Sequence, residues 1–257
     1  MNYYNEYDKK AAAWLRELIK VGAIPDGHVD ERSIAEVSPD DLRGFTQCHF
    51  FAGIGGWSLA LQLAGWSSER PVWTGSCPCQ PFSAAGKGLG AADERHLWPA
   101  WFHLIRECRP NVVFGEQVAG AVGHGWLDLV SSDLESQGYA IGAAVLGAHS
   151  VGAPHIRQRL YFVADSSGER GARLRDAEGF GELRQGRADW PVDLREVYSS
   201  PYAPGASHPQ PLLRRSVDGI PARVVRLRGY GNAIVPQCAQ AFIEAFLDIQ
   251  NENMHKM

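Results

Sequence analysis

Between Thr46 and Leu61 an apolar, strand-like segment passes through three closely spaced glycines, Gly53, Gly55 and Gly56, and enters a helical pattern. A turn that tight between a strand and a helix commits its surroundings to a sheet carrying helices on its faces. The rest of residues 46–165 keeps the same alternation. Short apolar runs at Thr46–Phe51, Pro71–Gly75, Asn111–Gly115, Tyr139–Gly147 and Arg159–Ala164 are spaced by helical patterns at Trp57–Ala64, His96–Glu107 and Gly125–Gln137. The expected class is α/β, with a parallel sheet that ends in an antiparallel pair.

Three further stretches surround that core. Residues 1–45 form an acidic prefix with one helical pattern, Ala11–Val21, followed by a loop-rich connection punctuated by Pro25, Gly27, Pro39 and Gly44. Residues 166–228 are rich in Gly, Pro and Ser, show no sustained period, and hold eleven arginines but no lysine. Residues 229–257 return to order, with an amphipathic helix expected over Pro236–Ile249 and Pro236 at a favoured first-turn position.

Charge and cysteine usage narrow the classes. A net charge of -4 excludes a wholesale basic nucleic-acid binder but leaves room for a local basic face. No stretch approaches the roughly 18–20 apolar residues of a membrane span, and the polar opening MNYYNEYDKK lacks a signal-peptide core. Five cysteines without regular spacing do not make a disulfide framework, so a reducing, cytoplasmic setting is expected.

Two segments carry chemistry. In Phe51-Ala52-Gly53-Ile54-Gly55-Gly56 small residues let backbone N–H groups approach a ligand at a helix N-terminus, which suits nucleotide-like cofactors. A tight turn without a ligand is the bland alternative. In Gly75-Ser-Cys-Pro-Cys-Gln-Pro-Phe-Ser83 two prolines fix the backbone around Cys79, which would project from the C-terminal end of a strand, where α/β sheets place their sites. A glycine-rich loop, residues 84–92, follows it. A reactive thiol is favoured over a buried structural cysteine. A zinc site is disfavoured, because Cys77-Pro-Cys79 has the wrong spacing and lacks a second ligand pair.

With the later segments added, the order of motifs resembles that of the C5 cytosine-specific DNA methyltransferases. Phe51–Gly56 and Pro78-Cys79-Gln80 are followed by Gly115-Glu116-Gln117-Val118, similar to the family's Glu-Asn-Val element. Arg157-Gln158-Arg159 resembles its paired arginines, and Gly231-Asn232-Ala233-Ile234-Val235-Pro236 its closing element. The resemblance covers roughly residues 46–165 and 229–249. It implies a Rossmann-like fold and methyl transfer from S-adenosylmethionine to C5 of a flipped-out cytosine in double-stranded DNA.

Under that resemblance Cys79 is the covalent nucleophile and Glu116 holds the base and supplies a proton toward N3, with a carboxyl pKa raised by burial. Arg157 and Arg159 orient base and acid. Phe51 to Gly56 and Asn232 bind the cofactor, while Gln80, Ser83 and Lys87 meet DNA. Residues 166–228 occupy the target-recognition slot, where arginine can neutralise phosphates and read guanine. The implied setting is the cytoplasm of a bacterial or phage-infected cell. A homodimer and a cognate restriction endonuclease are partners the reading leaves open.

Two departures stand out. Gln117 replaces the family's Asn, and its longer amide could disturb the loop at the site. More seriously, only 28 positions separate Phe51 from Cys79, where the family places two further strand–helix units with acids for the cofactor. The sheet is therefore expected to be shortened at one edge, which residues 1–45 or another subunit would cover, with Asp26, Asp30 and Glu31 as candidate replacement acids. Two other functions stay open: a DNA-binding pseudoenzyme that cannot hold cofactor, and a thiol enzyme acting on a free pyrimidine nucleotide.

Overall fold

A computed structural model describes residues 1–78, 97–153, 155–167 and 233–256. Residues 168–228, nearly all of the stretch expected to recognise the target, and the loop that carries Cys79, Gln80, Ser83 and Lys87 lie outside these residues, as does Asn232.

The strands are β1 (Asn2–Asn5), β2 (Gly27–Asp30), β3 (Gln47–Phe50), β4 (Val72–Gly75), β5 (Val112–Val118), β6 (Ala140–Gly147) and β7 (Gln158–Asp165). They form one seven-stranded sheet in the order β2-β1-β3-β4-β5-β7-β6. β2, β1, β3, β4 and β5 are parallel, whereas β7 runs antiparallel to both its neighbours. The helices are α1 (Lys9–Lys20), α2 (Gly56–Leu63), α3 (Trp98–Cys108), α4 (Trp126–Ser136) and α5 (Pro236–Lys256). The expected α/β class and the antiparallel end are thus present, with boundaries within a few residues of the sequence reading.

The expected shortening is not. Both edge positions beside β3 are filled, and the prefix fills them: β1 pairs with β3 from Asn2↔Gln47 to Asn5↔Phe50, and β2 pairs with β1. These two strands precede the glycine turn in the chain instead of following it. The physical requirement explains the arrangement. A central parallel strand such as β3 must be covered on both edges and both faces, because unpaired N–H and C=O groups are costly to bury. Any segment of suitable length and pattern can meet that demand, whatever its place in the sequence. Residues 1–45 are therefore part of the sheet and not a helical appendage. The residues of β1 are all buried, which a free edge would not permit.

Alternation along the strands sorts the core into two faces. Tyr3, Cys48, Phe50, Trp73 and Val113 point to the face covered by α3 and α4, where Trp98, Trp101, Leu104 and Trp126 pack. Val72, Val112, Phe114, Tyr161 and Val163 point to the opposite face, where α2 and α5 supply Trp57, Leu61, Phe242, Ile243 and Phe246. α1 joins that second face, with Leu15 against Tyr4, Ile24 and Ala52. Asp8 caps α1 by accepting from the Lys10 and Ala11 amides, which satisfies donors that the helix itself cannot.

Candidate active site

The register of the parallel strands locates the site. Asn5, Phe50, Gly75 and Gly115 are aligned across β1, β3, β4 and β5. One residue further along each strand stand Glu6, Phe51, Ser76 and Glu116, a row just past the last parallel pairing. The C-terminal rim of a parallel sheet is where such folds gather ligand-facing groups, since the strands end and the helices begin there.

The turn after β3 is built from left-handed backbone. Phe51 has φ 51°, Gly53 58° and Gly55 79°. For Phe51 this conformation stores of order 1–3 kcal/mol of strain, which the surrounding structure must sustain. Gly56 is required for a different reason: a Cβ there would lie 2.7 Å from the Ile234 side chain, so the closing element packs directly on the turn. Among the described residues, a Cβ at Gly53 would find only a carbonyl oxygen 4.0 Å away, so they leave room over the turn.

Glu6 borders that space. Its Oε2 accepts the Gly53 N–H at 2.7 Å and its Oε1 accepts the Asp8 N–H at 2.7 Å. Burial pushes this carboxyl above the usual range, against the two backbone donors and with help from Asp8. The acid beside the glycine turn is thus Glu6; of the candidates, Asp30 ends β2 at the same rim in register with Asn5, with Glu31 next to it, and Asp26 precedes β2. The Asp26 carbonyl accepts from Asn2 N–H, at the strand ends remote from the turn. Asp30 is held by the Tyr3 hydroxyl at 2.8 Å and by Arg32 at 2.7 Å, and Glu31 pairs with Arg16.

Glu116 projects from β5 on the α2 face. Its Oε1 lies 2.9 Å from Arg159 Nε on β7, a pairing set by the cross-strand register Glu116↔Tyr161. Burial raises the carboxyl above its ordinary value, opposed by Arg159, a hydrogen bond from Ser76, and Arg157. Desolvation wins over two cations because the carboxylate keeps only 7% of its exposure. Arg157 donates to the Ala233 carbonyl at 2.5 Å, with its own backbone at φ 26°, and its charge also favours the ionised acid. The two arginines are therefore divided in the structure. Arg159 contacts the acid, and Arg157 ties the start of β7 to the closing element.

The Gln117 amide is engaged at both ends. Its Oε1 folds back to accept the Val118 N–H at 2.9 Å, and its Nε2 donates to the Cys77 carbonyl at 3.3 Å. The amide thus anchors the strand before the cysteine motif, two residues short of Cys79. Sequence reading missed Glu6 and Ser76. The only local signal for Glu6 was the run Asn2-Tyr-Tyr-Asn5, tyrosine-rich and strand-like, ending in an acid.

Known proteins resemble this chain over part of its length. Residues 69–176 match the family model described as C-5 cytosine-specific DNA methylase. The type II methyltransferase M.NgoMIV of Neisseria gonorrhoeae is 29% identical over 160 residues, which cover 47% of this chain and 51% of the relative. M.HhaI of Haemophilus parahaemolyticus is 28% identical over 167 residues, 50% of this chain and 51% of that protein. Among solved structures, the S. pombe Dnmt2 methyltransferase aligns with a TM-score of 0.43 at 14% identity, covering 74% of this chain and 58% of that one. The chain spans about half the length of the two curated relatives. Over residues 69–176 the chain is thus similar to the C-5 cytosine-specific DNA methylases, and over about half its length to type II methyltransferases.

Proposed function

We propose that this protein methylates C5 of cytosine in duplex DNA, with S-adenosylmethionine as donor and Cys79 as covalent nucleophile. The observation that carries the reading is the rim row itself: a buried carboxyl with an arginine on it, in line with a glycine turn that has its own acid.

The residues present fit the donor. Space over Gly53 admits a ligand, the first turn of α2 offers a positive end, and Glu6 keeps lone pairs free to accept from ribose hydroxyls. When bound, the donor supplies an electrophilic methyl on a sulfonium. Phe51 to Gly56 and Asn232 are assigned to holding it, with Glu6 added from the structure.

The protein's own groups account for the rest. Cytosine C5 is a poor nucleophile until a thiolate adds to C6, so the Cys79 sulfur forms a bond there while N3 takes a proton from Glu116. Burial keeps the Glu116 carboxyl protonated to higher pH than a surface glutamate, which makes it a usable acid. C5 then carries the electron density needed to accept the methyl group. Loss of the C5 proton to water, expulsion of the Cys79 thiolate and return of the N3 proton to Glu116 restore the ring and the protein's groups. Arg159 fixes the acid's orientation through its 2.9 Å contact. Gln80, Ser83, Lys87 and the arginines of residues 166–228 are proposed to meet the DNA.

The decisive experiment is transfer of labelled methyl from S-adenosylmethionine to unmethylated duplex DNA of mixed sequence, for the native protein and for Cys79→Ser. Label on cytosine C5 with the native protein and none with the variant is the expected result. Unlabelled DNA with a folded, DNA-binding native protein would overturn the activity and favour a pseudoenzyme. Label on a free pyrimidine nucleotide instead of duplex DNA would assign a different substrate.

A further inference from the structure

Ser76 and Trp57 belong to neither the nucleophile nor the arginine pair, yet they meet beside Glu116. Alternation along β4 puts Val72 and Ser76 on the α2 face, the face on which Glu116 also lies. Trp57 sits in the first turn of α2, one residue after Gly56, and is 3% exposed. Its ring stacks near Phe114 with centroids 6.1 Å apart and meets Tyr161 edge-on at 6.1 Å. Those contacts aim its Nε1 at Ser76 Oγ, 3.1 Å away. An indole N–H can only donate, so the serine oxygen accepts there. The one hydroxyl hydrogen is left to turn toward the Glu116 carboxyl, which the Gly75↔Gly115 register sets on the neighbouring strand and the same face.

We propose that Ser76, its hydroxyl oriented by Trp57, is a positioning residue for Glu116, fixing which oxygen of the acid is engaged and linking the glycine turn to the acid. The inference deepens the methyltransferase reading, but one arm of its test does not depend on that reading. Among the described residues, the groups facing this carboxyl are Ser76 from β4, Arg159 and Tyr161 from β7, and Arg157 from the segment before β7. Cys238 on α5 adjoins Tyr161. Both arginines favour the charged form and burial opposes it. The serine hydrogen bond adds to the arginines' side, so its removal raises the pKa of the acid further.

The test uses the full chain with carbon-13-labelled glutamate, the Glu116 resonance being assigned by its loss in Glu116→Gln. In Ser76→Ala the carboxyl titration is expected to move up by about one pH unit, a tenfold change in its ionisation constant. Trp57→Phe should move it less, in the same direction. The double variant should add nothing to Ser76→Ala, and Ser76→Thr should restore the native titration. In methyl transfer, the limb along which kcat falls as pH rises should shift to higher pH by the same amount in Ser76→Ala. An unchanged Glu116 titration in folded Ser76→Ala overturns the proposal, as does a uniform loss of kcat with no displaced limb. A displaced titration in a protein that transfers no methyl upholds the role of Ser76 and overturns the proposed reaction instead.

Discussion

Two polar rows cross the same face of the same sheet, two residues apart, and they behave oppositely. The lower row is Tyr4, His49 and Thr74. The Tyr4 and His49 rings stack with centroids 5.0 Å apart, and His49 Nδ1 lies 2.8 Å from Thr74 Oγ1. Burial drives the His49 pKa down from 6.5 to about 3, so the row is neutral at physiological pH. The upper row is Glu6, Ser76 and Glu116, where burial raises both carboxyl pKa values and cations counter that shift at Glu116. Identical strands thus give a closed, uncharged layer inside the sheet and an ionisable one at its rim. Depth relative to the strand ends decides which. Inside, helices cover the row from above. At the rim, beside the turn after β3 and the start of α2, the described residues cover Glu6 and Ser76 only in part.

The contrast is broken most forcefully at Glu116. Glu116→Gln should lower kcat by about 10²–10⁴-fold, the span of general acid–base contributions, while duplex DNA binding persists. A kcat within about threefold of native would remove the acid from the mechanism. The same variant tests the electrostatics. A carboxyl whose folded pKa is raised supports stability below its unfolded value near 4.5 and loses that support as pH climbs through the folded value. Thermal melts should show that descending contribution in the native protein and not in Glu116→Gln.

The lower row has the opposite sign. With its folded pKa lowered, His49 supports stability above pH 6.5 and loses it as pH falls toward about 3, at roughly 1.4 kcal/mol per pH unit. His49→Gln, which can keep a bond to Thr74 but cannot protonate, should flatten the acid side of the melting curve between pH 6 and 4 on that scale. Methyl transfer at neutral pH should be unaffected apart from lost stability. An acid slope unchanged by the substitution would show that the lower row is not neutral by burial.

The smallest effect is expected at Glu6. Glu6→Gln keeps an acceptor for the Gly53 N–H but loses the charge, and should weaken S-adenosylmethionine binding by about tenfold, or about 1.4 kcal/mol. Calorimetry reads this directly, and kcat at saturating donor should stay near native. Unchanged affinity would separate Glu6 from the cofactor and make it a brace for the turn alone.

How much of this was legible beforehand depends on the range of the interactions. The glycine turn, the strand and helix that flank it, the alternating elements of residues 46–165 and the helix beginning at Pro236 are written in local patterns: apolar period, glycine placement, a proline in a first turn. Glu116 and Arg159 were identifiable by motif, but their 2.9 Å contact depends on the antiparallel register of β5 and β7. Arg157 and Arg159 read as an equivalent pair along the chain, and separate because Arg157 precedes the strand and Arg159 lies on it.

Sequence alone determined that this chain builds an α/β sheet with a reactive-looking cysteine motif after the strand at Pro71–Gly75. Tertiary structure alone decided that residues 1–45 complete that sheet, that Glu6 stands at the glycine turn, and that Trp57 reaches Ser76 on the strand beside Glu116. The reason is physical. Helix and turn signals arise from neighbours within a few residues, whereas a parallel strand selects its partner across a long stretch of chain by burial and hydrogen-bond demand. β1 is four residues long, with its partner 45 positions away at Gln47, and nothing local to either segment names the other.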